Sequence, residues 1–371
     1  MSTNYIHLAN FLTSGNSEEQ QYCLDFLKAG RATTLETFWK KKHLEKLLDA
    51  NPDIKIFLDS GAHSLLNAQA GLIGSGDTVK TEKKVGKSGK IEYTAEEFYE
   101  RLDPNQRAYY ATKIKGAEQA FTDYSFNQNE DVRKYLDDYI EFIHKYKDQL
   151  MGYVNLDIIY NAEQSYDNQK YMESNGLRPI PVFHYGEDFK WLKKYVEEYD
   201  YIGIGGVAGG VTMQQFVNTL GDKSFEIVEE INPDIKIHGF AVTSLNLMKR
   251  YNWWSCDSTT WLKHAAYGNV MVPRYNAKKE EFDYNRTPIV VSVSDRSKIL
   301  GSKIPHYTNL PNKEETERIQ EYFKIAEVDE EKLLTSALER KKVNIFYYEQ
   351  LLKQDWMHIR KPFKNINKSF F

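Results

Sequence analysis

An alternation of short apolar runs and amphipathic segments from Met151 onward is the strongest constraint on the fold of this chain. Short continuous apolar runs are typical of buried parallel strands, and the segments between them have helical periodicity. With two apolar runs upstream, the pattern predicts eight strands: Tyr5–Phe11, Ile54–Leu58, Met151–Leu156, Ile180–Phe183, Tyr201–Ile204, Ile235–Phe240, Trp253–Cys256 and Val270–Val272. The sequence therefore predicts an α/β fold, a (β/α)8 TIM barrel of about the usual 250 residues. A doubly wound open sheet is the alternative, but no G-x-G-x-x-G follows the first strand.

Helical patterns separate these strands and continue after residue 275. The predicted helices are Ser17–Lys28, Thr34–Leu48, Thr94–Leu102, Asp131–Gln149, Ala162–Ser174, Asp188–Glu198, Thr212–Ile231, Ser244–Tyr251, Thr259–Ala266, Glu314–Ala326 and Glu330–Lys353. Pro288–Val293 resembles a strand of a small added hairpin. We expect a barrel domain over residues 1–275, with a long insertion after strand 2 at about 64–130. An α-rich extension over 276–371 would pack on or beside the barrel.

The insertion and the C-terminal tail carry the basic residues that a nucleic-acid partner would need. Glycines and lysines alternate in the insertion between residues 64 and 93, which fits either a solvated disordered loop or a lid that contacts phosphates. The candidate nucleic-acid contacts are Lys80, Lys83, Lys84, Lys87, Lys90, Arg274, Arg360 and Lys361.

Composition excludes several classes of protein. A hydrophobic share of 41% argues against a disordered chain, and a net charge of −4 argues against a basic coat protein, though not against a local basic groove. The only cysteines are Cys23 and Cys256, with no CxxC or Cys/His cluster, so we expect no zinc site and no cofactor. The N-terminus lacks the pattern of a secretory signal, and no apolar run is long enough for a membrane span. These features predict a cytoplasmic protein without a membrane partner.

Polar side chains follow several predicted strands at their carboxyl ends, where barrels keep catalytic groups. These are Asp59, Asp157, His184, the glycine-rich segment Gly205–Gly210 and Asp257. A pair of carboxylates is the arrangement for cleaving a glycosidic bond, because one attacks the anomeric carbon and the other moves a proton. A third carboxylate suits the ring N–H and amino groups of a purine-like base. A lone aspartate at a strand end is more often a turn former, so the hypothesis depends on these residues arriving together.

These motifs resemble the tRNA-guanine transglycosylase superfamily over roughly residues 54–274. Asp59-Ser60-Gly61-Ala62 resembles the family's Asp-Ser-Gly-Gly motif, whose aspartate is a general acid/base. Gly205–Gly210, which includes Gly206 and Val207, resembles its base-contacting Gly-Gly-Leu-Ala-Val-Gly loop. The segment from His238 to Val242, which includes Phe240, resembles the strand before the nucleophile. The resemblance implies that Asp257 is the nucleophile and that Asp157 reads the base.

The departures from the family pattern point to one branch of it. Ala62 replaces the second glycine, and His184 stands near the position where the family uses a glutamine to read the base carbonyl. The family's Cys/Cys/Cys/His zinc cluster is absent. The compact form resembles phage-type DNA 7-deazaguanine transglycosylases, which would place a phage-encoded chain in the host cytoplasm. The resemblance implies that guanine in DNA is exchanged for a free 7-deazaguanine such as preQ0.

Three other functions remain open at this stage. The same chemistry could act on tRNA, the site could belong to a nucleoside or glycoside hydrolase, or the barrel could bind a nucleobase or nucleic acid without catalysis. The oligomeric state is equally open between a monomer and a homodimer.

Overall fold

The computed structural model describes residues 5–62, 64–65, 130–158, 161–205, 213–242, 244–294 and 304–355. The predicted insertion, with its helix Thr94–Leu102, and the basic C-terminal tail lie outside the described residues apart from 64–65 and 130. These predictions are therefore untested by the structure.

The described residues form a mixed α/β protein. The strands are β1 Tyr5–Ala9, β2 Thr33–Thr37, β3 Ile56–Asp59, β4 Leu150–Tyr153, β5 Val182–His184, β6 Tyr201–Gly205, β7 Lys236–Gly239, β8 Ser255–Ser258, β9 Asn269–Val272, β10 Arg274–Asn276, β11 Glu281–Asp283 and β12 Ile289–Ser292. The helices are α1 Ser17–Lys28, α2 Lys41–Ala50, α3 Glu130–Tyr146, α4 Ala162–Ser174, α5 Phe189–Glu198, α6 Met213–Phe216, α7 Asp222–Ile231, α8 Leu245–Arg250, α9 Thr260–Ala266, α10 Lys313–Ile325, α11 Glu330–Leu333 and α12 Ala337–Leu352.

The first eight strands belong to one parallel sheet, which agrees with the predicted α/β class. The chain forms two compact units, one of residues 35–240 and one of residues 1–34 with 241–371. The predicted domain division at residue 275 stays a prediction. Among the described residues, no helix has both the length and the apolar character needed to cross a bilayer.

In the unit of residues 35–240, strands β2 to β7 follow one another in parallel. The segment of β2 from Leu35 onward pairs with β3, β3 pairs with β4, and β5 pairs with β6, which pairs with β7. A parallel bridge between Val154 and Ile180 joins the end of β4 to the segment before β5. Buried side chains such as Ile56, Leu58 and Ile204 fill the apolar interior of this unit. Because the strands are parallel, their carboxyl ends all lie at one edge of the sheet.

In the other unit, β1 pairs with β8 in parallel, with His7 opposite Asp257. Two antiparallel pairs, β9 with β12 and β10 with β11, lie outside the parallel sheet. Helix α12 is tied to β9 and to α9 by one buried amide: Asn344 accepts from the Met271 N–H at 2.8 Å and donates to the Trp261 carbonyl at 2.9 Å. This double contact fixes the helix because one side chain of α12 bonds backbone groups of both β9 and α9.

The predicted helix Thr34–Leu48 is wrong over its first turn, where the structure has strand β2. Thr33, Thr34 and Thr37 are β-branched, a side-chain class that favours strands. The Thr34 hydroxyl also donates to the Leu8 carbonyl at 3.0 Å. The apolar periodicity that suggested a helix belongs to α2, which begins only at Lys41.

This error also changes which strands make up the parallel sheet. Val270–Val272, predicted as the eighth parallel strand, lies in β9 and pairs antiparallel with β12. β2 takes its place in the parallel sheet. The long predicted helix Glu330–Lys353 is two helices, because Ser336 accepts from the Glu339 N–H and begins α12 there.

A buried ion pair holds α1 to α12. The Lys341 ammonium lies 3.1 Å from one oxygen of Glu19, and the two side chains are only 6% and 10% exposed. The other oxygen of Glu19 accepts from the Asn16 N–H at the start of α1, at 2.8 Å. A buried carboxylate of this kind is stable only while its charge is compensated.

We predict that Lys341→Ala lowers the free energy of unfolding by about 3–5 kcal/mol, because it leaves the Glu19 carboxylate buried without its cation. Urea unfolding measures the loss. The control is Lys332→Ala, which breaks an exposed pair with Asp329 and should lower stability by about 1 kcal/mol or less. Equal losses in the two variants would show that burial does not set the strength of the Glu19 pair.

Candidate functional site

An aspartate and a histidine form the centre of the candidate site in the unit of residues 35–240. His184 is the last residue of β5, and its Nε2 lies 2.6 Å from Oδ2 of Asp157. Both side chains are largely buried, with 12% of His184 and 7% of Asp157 exposed. A separation this short in a buried setting indicates a charge-assisted hydrogen bond. The structure therefore brings together two of the residues predicted from the sequence.

The segment that carries Asp157 is held by polar side chains of α4. The Ser165 hydroxyl accepts from the Ile158 N–H at 2.8 Å, and the Asn168 amide donates to the Leu156 carbonyl at 2.9 Å. These bonds satisfy backbone groups that the irregular segment would otherwise bury alone. Asp157 is thus fixed from both sides, which suits a carboxylate that must meet a ligand in one orientation.

Ser60 extends the pair toward β3. Its hydroxyl donates to Oδ1 of Asp157 at 3.1 Å, so both oxygens of Asp157 contact protein groups. Asp59, the last residue of β3, accepts from the Gly61 N–H at 3.0 Å and closes a tight turn. The predicted Asp-Ser-Gly motif therefore lies beside the predicted base-reading aspartate.

Tyr135 on α3 is a member of this site that sequence reasoning missed. Its hydroxyl donates to the Ser60 carbonyl at 2.6 Å. Burial raises the pKa of Tyr135, and the charges of Asp59 and Asp157 raise it further, so its hydroxyl remains a donor. Gly61 has φ +79°, and a Cβ there would lie 2.8 Å from the tyrosine oxygen. Only glycine fits between this turn and α3.

Gly205, the predicted base-contacting glycine, lies against the imidazole of His184. A Cβ at Gly205 would lie 2.8 Å from Cε1 and Nδ1 of His184. The Gly205 carbonyl accepts from the Tyr185 N–H at 3.2 Å, so β6 also holds the segment that follows β5. Phe240 packs edge-on against His238, with ring centroids 4.4 Å apart, and lies over Gly203.

A second missed residue, Glu187, is buried next to His184. It is 7% exposed, and its Oε2 accepts from the His184 N–H at 3.0 Å. Its other oxygen, Oε1, is buried and has no hydrogen-bond partner among the described residues. No sequence pattern indicates this contact, because a glutamate next to a glycine turn is normally solvated.

The pKa values of His184 and Glu187 are both raised, by different causes. Burial alone would lower the pKa of His184, but the hydrogen bond and the negative charge of Asp157 outweigh it, so the pKa is raised. Burial raises the pKa of Glu187 to about 7, against the lowering effect of His184, and the charge of Asp157 adds to the rise. The hydrogen bond to Asp157 therefore favours the protonated form of His184, and Glu187 is a buried carboxyl group whose pKa lies near neutral pH.

Asp257, the predicted nucleophile, lies in the other unit, within β8 rather than after it. It is 7% exposed, and its Oδ1 accepts from the Ala241 N–H at 2.7 Å. Ala241 has φ +55°, a left-handed conformation that costs a residue with a Cβ roughly 1–2 kcal/mol. After Asp257, the Ser258 hydroxyl accepts from the Thr260 N–H, while Thr259 at the start of α9 makes no side-chain capping hydrogen bond.

Arg274 is the one predicted nucleic-acid contact within the described residues. It is exposed at the start of β10, and its Nε donates to the Thr287 carbonyl at 3.2 Å. It lines a cleft of about 280 Å³ with two other arginines, Arg286 and Arg318. Glu314 and Glu315 line the same cleft, so its surface carries both signs of charge.

The remaining predicted site residues lie outside the described residues. They are Gly206, Val207, Lys80, Lys83, Lys84, Lys87, Lys90, Arg360 and Lys361. Within the described ranges, no three His, Cys, Asp or Glu side chains come together in a way that could hold a metal ion.

Comparison with known proteins adds no relative. No model of a protein family matches the chain, and no curated protein matches it. The family resemblance of the motifs is therefore a hypothesis that depends on the residues described above.

We predict that Glu187 makes the protein less stable as the pH rises. Its pKa of about 7 in the folded state exceeds the 4.5 of a free side chain, so the folded state binds more protons between these values. Stability should then fall from about pH 4.5 through about pH 7, by on the order of 2–3 kcal/mol. Urea unfolding at pH 5 and pH 8 measures this loss.

Glu187→Gln cannot ionise and should remove the part of the decline that Glu187 causes, leaving the contribution of His184, whose raised pKa acts in the same direction. The control, Glu197→Gln, changes an exposed residue of α5 and should keep the wild-type decline. If all three proteins lose the same stability, Glu187 does not titrate in this range.

Proposed function

We propose that the protein is a base-exchange transglycosylase that replaces guanine in DNA with a 7-deazaguanine of the preQ0 type. The observation that carries this proposal is the buried Asp157–His184 pair, fixed by Ser60 at the carboxyl edge of a parallel sheet. That edge is where parallel α/β folds bind their ligands. A free 7-deazaguanine and the nucleic acid are the two partners, and no cofactor takes part in the proposed steps.

The pair has the hydrogen-bonding capacity that a guanine-type base needs. Each carboxylate oxygen has two lone pairs, so Asp157 can accept from ring and amino N–H groups while it keeps Ser60 and His184. His184 bonds Asp157 through Nε2, and its Nδ1 has no hydrogen-bond partner in the described part of the chain. A base carbonyl could therefore accept a hydrogen bond from the Nδ1–H of the imidazolium.

The proposed chemistry has two steps. In the first, an oxygen of Asp257 forms a bond to C1′, the bond from C1′ to N9 of guanine breaks, and Asp59 gives a proton to the leaving base. In the second, Asp59 takes the N9 proton of the incoming deazaguanine, whose N9 bonds to C1′ and releases the Asp257 carboxylate. The covalent intermediate divides one difficult displacement into two easier ones. The Ala241 N–H supports this role because it holds the carboxylate in one orientation.

We also propose that the parallel sheet closes into a (β/α)8 barrel that carries the insertion at 64–130. The bridge from Val154 to Ile180 supports closure, since it joins β4 and β5, the strands at the two ends of the sheet order. Two hydrogen bonds strengthen it: Asn155 N–H donates to the Ile180 carbonyl at 3.0 Å, and Ile180 N–H to the Tyr153 carbonyl at 2.9 Å.

We predict that Asp257→Asn abolishes base exchange, lowering its rate by roughly a thousandfold or more, because an amide oxygen is a poor nucleophile. The assay follows incorporation of labelled preQ0 into DNA and, in parallel, into tRNA. Wild-type protein should also form an adduct with a guanine-containing DNA strand that survives denaturing electrophoresis. Asp200→Asn, at an exposed position, is the matched control and should retain full activity.

The outcomes separate this proposal from its alternatives. Labelling of tRNA but not of DNA would show that the protein exchanges guanine in tRNA. Release of guanine without an added deazaguanine would indicate a hydrolase. Exchange that persists in Asp257→Asn would show that another group is the nucleophile.

We predict that the arginine cleft contributes phosphate contacts. Replacing both Arg274 and Arg286 with alanine should weaken DNA binding and reduce the slope of log K against log salt concentration by up to about 2. Fluorescence anisotropy over a salt series measures the slope. Arg178→Ala with Lys193→Ala removes the same charge at exposed positions of the other unit and should leave the slope unchanged. Equal slopes in both double variants would show that the arginines of the cleft do not contact DNA phosphates.

A further inference from the structure

Glu187 and His184 close one turn by reciprocal hydrogen bonds. The Glu187 N–H donates to the His184 carbonyl at 3.2 Å, and the His184 N–H donates to Oε2 of Glu187 at 3.0 Å. Gly186 within this turn has φ +93°, which lets the chain reverse in so few residues. The carboxyl group of Glu187 is therefore held in place by the backbone of His184.

The two nitrogens of His184 have different surroundings. Nε2 is occupied by Asp157 at 2.6 Å, whereas Nδ1 has no partner among the described residues. An imidazolium carries a proton on both nitrogens, so Nδ1 is then a donor. A neutral imidazole that keeps its proton on Nε2 offers Nδ1 as an acceptor. The protonation state of His184 thus decides which kind of base edge can bind there.

We propose that Glu187 is a positioning residue that keeps His184 in its imidazolium form, so that the site selects bases with a carbonyl at position 6 over bases with an amino group there. This inference rests on the proposed base-binding role of Asp157 and His184. The inference adds Glu187 to the site as the residue that keeps Nδ1 of His184 a hydrogen-bond donor.

The charges around the imidazole favour this form. Asp157, Asp59 and Glu187 all act on His184 in the direction that raises its pKa. Tyr195 of α5 is the other titratable group near Glu187, and burial raises its pKa, so it stays neutral in this range.

Ionisation of Glu187 opposes the loss of the imidazole proton. As the pH rises through about 7, Glu187 gains a negative charge, and that charge raises the pKa of His184. A buried negative charge close to a cation stabilises that cation strongly, because little water screens it. Replacing the carboxyl group with an amide should therefore release the proton of His184 at lower pH.

The test compares wild type, Glu187→Gln and the exposed control Glu197→Gln. The ¹⁵N shifts of His184, assigned with a His184→Gln variant, give its titration midpoint. Equilibrium dialysis at pH 8 with guanine and 2,6-diaminopurine measures selectivity, since the first has an oxygen and the second an amino group at position 6. We expect Glu187→Gln to lower the proton affinity of His184 roughly tenfold and the preference for guanine by a similar factor.

A Glu187→Gln protein with the wild-type titration midpoint and the wild-type preference would overturn the inference. If that variant does not fold, wild type alone decides: His184 shifts that show no second inflection near pH 7 would equally overturn it. Wild type that binds neither purine also refutes it.

The base-exchange assay keeps the two proposals apart. Base exchange that persists with unchanged selectivity in Glu187→Gln refutes this inference and leaves the transglycosylase standing. Selective, Glu187-dependent binding without any exchange in wild type refutes the transglycosylase and supports this inference.

Discussion

The contact between His184 and Asp157 is the interaction on which the rest of the site depends. Two opposite charges that are this buried remain stable only if each is held in good geometry and its remaining polar atoms are satisfied. The surrounding residues meet these conditions. Ser60 donates to the second oxygen of Asp157, the side chains of α4 fix the segment that carries it, and Gly205 leaves room for the imidazole.

Sequence reasoning could predict this grouping because it follows from the periodicity of a parallel sheet. Asp59, Asp157 and His184 each lie at or shortly after the end of an apolar run, and parallel strands bring such positions to one edge. The strand at Thr33–Thr37 was missed because its short β-branched run is followed directly by an amphipathic helix, whose periodicity extended the helical pattern backward. The strand preference of the β-branched residues determined the structure of Thr33–Thr37, and the hydrophobic pattern alone did not indicate a strand there.

The missed members of the site share one property: their role depends on a turn or a long-range contact that spacing does not encode. Tyr135 is distant in sequence from Ser60, and its hydroxyl reaches that residue only because α3 packs against the turn at Gly61. Glu187 is close to His184 in sequence, yet its burial follows from the reversal at Gly186. Asp257 stays a predicted nucleophile. The left-handed Ala241 that donates to it was not predicted, because an alanine in a sequence gives no indication of a positive φ.

The charge balance of the site bears on what it can bind. An imidazolium paired with a carboxylate has no net charge, so an uncharged flat base could replace water beside it without burying an isolated ion. The pair still offers acceptors on Asp157 and a donor on Nδ1 of His184, an order of polar groups that matches the adjacent N–H and carbonyl groups of a 6-oxopurine. An ionised Glu187 adds one negative charge and favours the protonated form of His184, in which Nδ1 is a donor. The same buried carboxyl that makes the folded state less stable at high pH would then sharpen the choice of base, which gives a physical reason for keeping an unfavourable group in the site.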